Sequence, residues 1–445
     1  MKNIKIILIF LLISGFLINL SPHFGYNYPL HVDEWVHYQY SNHLSNGTPV
    51  YFGGEYNSLE AGFHYLLATL NSLGVPYLII FNFFASLFFV LICLGIFILT
   101  RKIWNETAGI FAVLFMIILK TTIMILGPVF FTPLLIGLIF IPFILYSAKR
   151  NSKIWVILLS SLFMIHPPSA MASLLLLNIF FIILKKNYLK NMSWQILSWL
   201  IAIPFYLPIF FDKGVLTIEY LSFFPMEGLV AIPTFLGIGI FLISIFGIYS
   251  LSSKKDYLVP SYILGLSVFI LLFYYAKIEF FIPYRRALYY LFLILSVPFG
   301  VGCSEIIKQP KNKRIKIGIC ILVSLILVFA LVSKIKSNEG FYQIITEKEY
   351  SSFVWMKENL QKDKLAVLDP WKANAFTPLT GIEVYSRIVQ GPDEIYEKRN
   401  KEIEEFFNNQ CEDLNFLRRN NISFIYGNCK NQDLKEIYPN VHILN

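Results

Sequence analysis

Long apolar runs separated by short polar segments make up the chain as far as about residue 335. Most runs approach the roughly 20 residues that an α-helix needs to cross a bilayer. Two shorter runs meet at His166-Pro167-Pro168, where the prolines predict a turn between two helices. The pattern predicts eleven crossings, at 4–20, 76–99, 107–126, 130–147, 154–165, 168–184, 193–211, 229–250, 257–276, 285–306 and 317–335.

Two regions depart from this pattern. The apolar run 63–73 is too short to cross a bilayer and is predicted to lie at the membrane surface. The tail after residue 335 is more polar, and its short runs predict helices at 347–360, 373–379 and 393–408 and strands at 365–368, 382–385 and 422–426. The expected fold is an α-helical polytopic membrane protein of about 11 crossings, residues 1–335, with a small C-terminal α/β domain, residues 336–445.

Composition supports the membrane class. Hydrophobic residues make up 56% of the 445 residues, and the mean hydropathy is +0.61; soluble chains are usually about 45–50% apolar. A net charge of +9 could indicate a nucleic-acid partner. The basic residues lie mostly in short loops between crossings, however, where they set orientation. The expected partners therefore include membrane lipids and no nucleic acid.

The charges also predict the orientation of the chain in the cell membrane. Seventeen lysines and arginines fall in alternate loops that include the N terminus, whereas the opposite inter-span loops carry Lys213, Lys277, Arg285 and Arg286. By the positive-inside rule the N terminus is cytoplasmic, and the outer loop 21–75 and the tail are extracytoplasmic. Cys411 and Cys429 could form a disulfide in an outer tail, but their spacing alone leaves this open.

Two acids and two histidines follow the first crossing, in the stretch His31–His37. Asp33 and His37 are four residues apart and would share one face of a helix. The segment 21–62 has no lysine or arginine to pair with the acids, and a carboxylate near a bilayer is costly unless it has a use. A carboxylate there can serve as a general base. The alternatives are that Asp33 caps a helix, or that His31, Asp33 and His37, with Glu34, hold a divalent ion such as Mg²⁺ or Mn²⁺.

Basic groups on the same predicted side suggest a phosphate site. Arg285 and Arg286 begin a crossing on the outer side, where a helix N-terminus and a guanidinium can bind a phosphate. The alternative is that they reach toward lipid headgroups. Lys120 falls inside a predicted crossing, where an ionisable group is a functional candidate. His64 and His166 fall on the same predicted side as the acids.

The order of these features resembles the GT-C class of membrane glycosyltransferases. The matching features are the acids Asp33-Glu34 after one crossing, a surface helix over 60–74 and a second crossing that ends at Arg101-Lys102. The class includes protein O-mannosyltransferases, lipid A aminoarabinose transferases and oligosaccharyltransferases, and residues 353–385 resemble their outer domains. The resemblance implies transfer of a sugar, with inversion, from a polyprenyl-phosphate-linked donor to a lipid, glycan or protein acceptor on the outer face.

The resemblance also implies roles for the candidate residues. Asp33 would take the proton of the acceptor, and Arg285, Arg286 and Lys120 would hold the donor phosphate. Glu34, His37, His64 and His166 would orient groups or hold an ion.

Two departures and two rival functions remain. Leu59-Glu60-Ala61-Gly62 stands where many members carry a proline or a lysine, and Asp369-Pro370-Trp371 stands where oligosaccharyltransferases carry Trp-Trp-Asp. The second departure favours single-sugar transfer. One rival is a lipid-linked glycan flippase or transporter, a class in which internal repeats are expected. The other is a non-catalytic membrane scaffold with an outer binding domain.

Overall fold

The computed structural model describes residues 2–47, 60–122, 125–184, 188–211, 236–276, 282–310, 312–338, 343–389 and 394–444. Within these residues the chain is mostly helical and ends in a five-stranded sheet. The helices up to residue 338 are α1 (Lys2–Leu20), α2 (Val32–Ser45), α3 (Ala61–Ser72), α4 (Tyr77–Ile103, with a π-helical stretch at Ile80–Phe84), α5 (Glu106–Ile118), α6 (Pro133–Lys149), α7 (Ile154–Ile165), α8 (Pro167–Leu184), α9 (Tyr188–Phe211), α10 (Ile238–Ser253), α11 (Leu258–Ala276), α12 (Tyr284–Lys308) and α13 (Lys313–Asn338).

The helices identify a membrane protein. Among the described residues, the segments long and apolar enough to cross a bilayer are Ile4–His23, Tyr77–Ile103, Leu258–Ala276, Tyr284–Lys308 and Lys313–Lys336. Helices α5, α6, α7 and α10 are apolar but shorter, and so is Pro167–Ile183 within α8. The predicted count of about 11 crossings is therefore not confirmed. The first part of the predicted crossing 229–250 lies outside the described residues.

The predicted crossing 107–126 is wrong at its C-terminal end. Helix α5 ends at Ile118, and Leu119 has an extended backbone. The Thr122 hydroxyl accepts a hydrogen bond from the Ile125 N–H at 2.9 Å, and the Thr122 N–H donates to the Ile125 carbonyl at 3.2 Å. Threonine has a low helix propensity, and its hydroxyl competes with helical hydrogen bonds. Lys120 consequently follows the helix and is not inside it.

The chain divides into two compact units. The first unit comprises Met1–Asn27, Pro49–Ile218 and Pro225–Phe341. Helix α12 lies at its centre and packs against α5, α10 and α11. A Cβ atom on Gly247 of α10 would collide with the Pro298 carbonyl oxygen of α12, and one on Gly300 of α12 would collide with the Ala108 carbonyl oxygen of α5. Small residues at these crossings let the helices approach closely, which is how helices commonly associate in lipid.

The second unit comprises Tyr28–Thr48, Glu219–Phe224 and Tyr342–Asn445. The elements of its tail are α14 (Glu347–Asn359), β1 (Leu365–Leu368), α15 (Pro370–Thr380), β2 (Glu383–Val384), α16 (Glu394–Asn408), α17 (Leu414–Arg419), β3 (Ile422–Tyr426), β4 (Leu434–Tyr438) and β5 (Val441–Leu444). The strands have the order β2-β1-β3-β5-β4, in which β1 is parallel to β2 and β3, whereas β5 is antiparallel to β3 and β4. A disulfide joins Cys411 and Cys429, the pairing that their spacing left open.

Helix α2, which carries the acidic stretch, is part of this second unit and packs against α15. The Tyr28 hydroxyl just before α2 donates a hydrogen bond to Glu347 Oε2 at 2.6 Å. Further along α2, the Gln39 side chain accepts a hydrogen bond from the Arg387 guanidinium. These contacts attach the acidic stretch to the tail, while the predicted domain boundary at residue 335 stays a prediction.

Candidate functional site

The acidic stretch forms the start of helix α2, and its side chains cap that helix. The Asp33 N–H donates to His31 Nδ1 at 3.1 Å, so His31 is the N-cap residue. Glu34 Oε2 accepts from the N–H groups of Leu30 at 2.8 Å and of His31 at 3.1 Å. Together these contacts form a capping box, which satisfies N–H groups that have no partner inside the helix. The alternative that Asp33 is the N-cap is therefore wrong.

Glu34 and Asp33 differ in their contacts although they are adjacent. The Glu34 side chain is fully buried, and its carboxylate binds backbone N–H groups. The expectation that the loop acids lack partners is thus wrong for Glu34, because the backbone supplies them. Asp33 Oδ1 lies 3.5 Å from His31 Nδ1. Because Nδ1 accepts the hydrogen bond from the Asp33 N–H, it cannot also donate to Asp33 Oδ1, so this contact is not an ion pair through Nδ1.

The structure describes His31, Asp33 and His37, the three residues of the predicted metal set. Nδ1 of His31 is used as a helix cap. His37 is buried one helical turn after Asp33. In the described part of the chain, no three side chains of the types His, Cys, Asp and Glu are grouped so that they could hold a metal. A divalent ion at His31, Asp33 and His37 stays a prediction.

The first unit contains a second group of polar side chains, which we call the Arg286 cluster: Glu60, His166, Ser169, Arg286 and Tyr290. Arg286 Nη1 lies 3.0 Å from His166 Nε2 and 3.6 Å from Glu60 Oε1. The distance from His166 Nε2 to Glu60 Oε1 is 3.3 Å. His166 Nδ1 lies 2.6 Å from Ser169 Oγ, which lies 2.7 Å from the Tyr290 hydroxyl. The cluster therefore joins the start of α3, the α7–α8 turn and the first turns of α12.

Two contacts of His166 Nε2 place opposite requirements on its proton. A guanidinium has donors and no acceptor, so the 3.0 Å contact with Arg286 requires Nε2 to accept, whereas the 3.3 Å contact with the Glu60 carboxylate requires Nε2 to donate. Glu60 and Arg286 bring opposite charges to this histidine. His166, Ser169 and Tyr290 are fully buried, whereas the Arg286 side chain is 30% exposed.

Local backbone features bring the cluster together. His166 ends α7 with a hydrogen bond from its N–H to the Leu162 carbonyl, and Pro167 begins α8. On the neighbouring helix α6, a Cβ atom on Gly137 would overlap Ser169 Oγ. At the start of α3, a Cβ atom on Gly62 would collide with the Met164 carbonyl oxygen of α7. These two glycines thus leave the space in which Glu60 and Ser169 reach His166.

The other predicted residues of the first unit are Arg285, His64 and Lys120, and each has different surroundings. Arg285 is half-buried in the first turn of α12, and His64 is buried on α3 beside Phe63. Lys120 lines a cavity of about 400 Å³ between α5, α10 and α13. The structure brings His166 together with Arg286. It shows no contact that joins Lys120 to them among the described residues.

Sequence reasoning missed several polar residues of the first unit. Glu60 appeared only as a departure from a family pattern, and Ser169 and Tyr290 were not singled out. One signal for Glu60 was available: it is an acid in a segment without basic residues, so its partner had to come from elsewhere. Lys334 of α13 was also missed; it is buried and donates a hydrogen bond to Thr121 Oγ1 at 3.2 Å.

The helical first unit and the small mixed sheet together have the fold of GT-C class membrane glycosyltransferases. This fold occurs in the oligosaccharyltransferase of Archaeoglobus fulgidus. Its crystal structure in the apo form is 10% identical to this chain, with a TM-score of 0.67, and the match covers 95% of this chain and 69% of that chain. The structure of that archaeal enzyme, AglB, with an inhibitory peptide and a dolichol-phosphate is 13% identical over 94% of this chain and 69% of that chain, with a TM-score of 0.58.

A third structure of the Archaeoglobus enzyme, in complex with Zn and sulfate, has a TM-score of 0.60 and 14% identity, and the match covers 93% of this chain and 67% of that chain. No protein-family model matches this chain, and no curated protein sequence does. At these identities the likeness concerns the fold.

Proposed function

We propose that this protein is a membrane glycosyltransferase that moves a sugar from a polyprenyl-phosphate-linked donor to an acceptor on the outer face of the membrane. The observation that carries the proposal is the likeness to an oligosaccharyltransferase over 95% of the chain. One of the similar structures contains a dolichol-phosphate and an inhibitory peptide, which supports a lipid carrier. The departure at Asp369-Pro370-Trp371 favours a single sugar.

In the proposed reaction the acceptor hydroxyl attacks C1 of the sugar from the side opposite the phosphate. Asp33 takes the hydroxyl proton while the C1–O bond to the phosphate breaks, so the sugar is transferred with inversion. The leaving group is the lipid phosphate. Glu34 is the positioning residue in this scheme, because its hydrogen bonds to the backbone fix the first turn of α2 on which Asp33 lies.

The phosphate is assigned to basic groups of the first unit. Arg286 pairs with an anion already, and guanidinium groups bind carboxylates and phosphates in the same geometry. Arg285 lies beside it in the first turn of α12, where the positive end of the helix dipole adds to its charge. Lys120 is a further candidate, because it lines a largely apolar cavity, which suits a carrier lipid. Stabilising charge that develops on a leaving group is commonly the largest catalytic effect.

We also propose a cytoplasmic N terminus and an extracytoplasmic tail. The distribution of lysine and arginine supports this orientation. The Cys411–Cys429 disulfide supports it as well, because disulfides persist mainly in oxidising compartments.

The test is transfer by purified protein from polyprenyl-phosphate-linked sugars. Asp33→Asn should lower turnover about 10²–10⁴-fold, the usual contribution of a general base. Asp363→Asn, which changes an exposed acid of the tail, is the matched control and should retain full turnover. Release of free lipid phosphate and of the glycosylated product are measured together.

Full transfer by Asp33→Asn would overturn the assignment of the base. A flippase would instead move the lipid-linked sugar across a vesicle membrane without breaking the bond to phosphate. Undiminished turnover in EDTA would remove a divalent ion from the scheme, whereas loss of turnover that Mg²⁺ or Mn²⁺ restores would require one.

A further inference from the structure

The cavity of about 400 Å³ in the first unit lies between α5, α10 and α13. The side chains that line it are apolar apart from those of Lys120 and Ser333. Ligand pockets usually have volumes of about 300–1,000 Å³, with largely apolar walls and a few polar groups. The cavity is therefore large enough for a ligand that is mostly hydrocarbon and carries one polar group.

The residues of α13 connect this cavity with the surface of the first unit. A Cβ atom on Gly239 of α10 would lie 3.0 Å from Ile326 Cδ1 of α13, so the two helices are in close contact there. Leu325 and Phe329 also line the cavity, and they are 61% and 78% exposed. Since α13 is long and apolar enough to cross a bilayer, we expect these exposed side chains to face lipid. A lipid chain can therefore enter the cavity sideways from the membrane.

Lys120 is the charged residue among those that line the cavity. In the part of the chain that the structure describes, its side chain has no hydrogen-bond or ion-pair partner. Helices α10 and α13 contain no acidic residue, and Glu106 at the start of α5 pairs with Arg101 at 3.2 Å. An ammonium group beside an apolar cavity is favoured when a ligand brings an anion to it. The cavity therefore complements an anionic group attached to an apolar chain.

The two polar side chains lie in the same part of the cavity. Lys334 is buried and donates a hydrogen bond to Thr121 Oγ1 at 3.2 Å. The residues that directly precede these two partners, Ser333 and Lys120, both line the cavity. Along α13 the lining begins at Leu325, eight positions before Ser333, which is about 12 Å along a helix. An anion at Lys120 thus leaves the apolar part of the cavity for its chain.

The volume of the cavity limits the length of that chain. An apolar cavity of about 150 Å³ holds one benzene molecule, which has six carbons. In proportion, a cavity of about 400 Å³ has room for roughly 16 carbons, or about three isoprene units. The two acyl chains of a membrane phospholipid exceed this room. A lipid with a single chain fits, and only the first part of a long chain is inside.

We infer that this cavity binds the part of one isoprenoid chain nearest its phosphate, about three units long, with the phosphate at Lys120. The inference rests on the proposed polyprenyl-phosphate-linked donor for the chemistry of the chain, and it adds a length limit to that proposal. Units beyond the third lie in the bilayer and contribute little to recognition. Lys334 acts through Thr121 and is a positioning residue.

The test measures binding of isoprenoid monophosphates of increasing length to the full-length protein in detergent: geranyl, farnesyl and geranylgeranyl phosphate, with two, three and four units. The wild type should bind farnesyl phosphate about tenfold more tightly than geranyl phosphate, because the third unit removes further apolar surface from water. Geranylgeranyl phosphate should bind within about twofold of farnesyl phosphate. Equal affinity for all three, or a fourth unit that strengthens binding as much as the third, would overturn the inference.

Ala330→Phe shortens the cavity, because Ala330 of α13 lines it and is 9% exposed. This change should weaken farnesyl phosphate about tenfold and leave geranyl phosphate nearly unchanged. Val328→Phe is the matched control on the same helix, since Val328 is 57% exposed and is not part of the lining. Partition of the probes into detergent is the same for every variant. An Ala330→Phe that is folded by thermal unfolding and keeps the wild-type affinities would contradict the site.

Lys120→Met tests the anionic group of the ligand. The wild type should bind farnesyl phosphate at least about tenfold more tightly than farnesol, and Lys120→Met should lose this preference. Lys102→Met, which changes an exposed lysine at the end of α4, is the control and should keep it. Neither inorganic phosphate nor dioleoyl phosphatidate at equal concentration should displace farnesyl phosphate. Displacement by either one would reject a site for a single-chain lipid.

The length series of the wild type needs no variant, so the inference can fail even if Ala330→Phe and Lys120→Met do not fold. Its outcome is separable from that of the proposed function. Length-limited binding without any transfer would retain the lipid site and reject the enzyme, whereas transfer that depends on Asp33 with no length limit in binding would do the reverse.

Discussion

Side chains that are neighbours in the sequence can have different structural roles in this protein. Glu34 and Asp33 are both acids of one helical turn, yet Glu34 binds the backbone and closes a capping box. His31 contributes its ring to the same cap. The stretch His31–His37, which the sequence predicts to be a catalytic or metal-binding site, thus also caps the N terminus of α2. The Asp33 side chain lies in the same first turn but is not one of the two side chains of the capping box.

Glu349 provides a prediction about acid stability. It joins α14 to α15 through Lys372 Nζ, which lies 2.6 Å from Glu349 Oε1, and it accepts hydrogen bonds from Thr346. Burial raises the pKa of Glu349, but the hydrogen bonds from Lys372 and Thr346 and the lysine charge outweigh burial and lower the pKa below its ordinary value of 4.5. A lowered folded-state pKa stabilises the fold above the unfolded-state pKa, and this stability is lost as pH falls through the folded-state pKa.

We therefore expect Glu349→Gln to lower the protease resistance of the tail at pH 7, and this difference from wild type should shrink as the pH falls below about 4. Limited proteolysis of the full-length protein across this pH range measures it. Glu358→Gln, an exposed acid of the same helix, is the control. A deficit of Glu349→Gln that is the same at every pH would contradict the ion-pair explanation.

How far the sequence predicts single residues depends on the distance between partners along the chain. The Asp33–His37 spacing lies within one helix, so local periodicity predicts their shared face. The Arg286 cluster joins Glu60, His166 and Arg286, which are about a hundred or more positions apart. Hydropathy predicts that each of these residues borders a membrane segment. It contains no information on which helix termini meet.

The secondary-structure elements follow the apolar pattern closely. The predicted strands 365–368 and 422–426 have the observed bounds, and the predicted surface helix 63–73 corresponds to α3. The error at α5 arises because Thr121-Thr122 lies between two apolar stretches that the pattern joins into one crossing, while the Thr122 hydroxyl is hydrogen-bonded to the Ile125 N–H in a turn. The C-terminal strands β4 and β5 were missed, since they are only five and four residues long and β4 contains two charged residues. The apolar pattern therefore predicts the bounds of an element best where its residues are buried in the core.

Glycines at helix crossings provide a prediction at the scale of elements. Gly247→Ala would push a methyl group into the Pro298 carbonyl of α12, which is backbone and cannot rotate away. We expect this change to destabilise the protein by about 1–3 kcal/mol, the usual effect of overpacking. Thermal unfolding in detergent measures it. Gly318→Ala on α13 meets open space and should be neutral or stabilising, because alanine favours a helix by about 1 kcal/mol. Equal melting temperatures for the two variants would contradict the packing explanation.

At the scale of the whole molecule, the chain order and the compact units do not coincide. The second unit takes Tyr28–Thr48 from the start of the chain and Tyr342–Asn445 from its end. A composition boundary near residue 335 predicts the tail as a separate domain. It gives no sign that α2 packs with α15 or that Arg387 binds Gln39. Such pairing depends on tertiary contacts between distant segments, which local pattern does not encode.

The disulfide provides a prediction at this scale. Cys411 and Cys429 close a loop with a sequence separation of 18, and such a crosslink typically stabilises a fold by roughly 3 kcal/mol. Cys411→Ser should lower the protease resistance of the tail, and a reductant should do the same to the wild type. Cys320→Ala, which changes a cysteine without a disulfide, is the control. Thiol labelling of unreduced protein from intact cells that reaches Cys411 and Cys429 would contradict an oxidised, extracytoplasmic tail.

The packing of α2 in the second unit has a consequence for the order in which the chain folds during its synthesis. Asp33 is synthesised long before α15 and Arg387, which α2 contacts in the folded protein. At about 5–20 residues per second, roughly 20–70 s separate these events. During that interval α2 lacks the surface on which it rests. A chain that stops before α15 would lack the surface against which α2 packs, so this packing can form only after Arg387 has been synthesised.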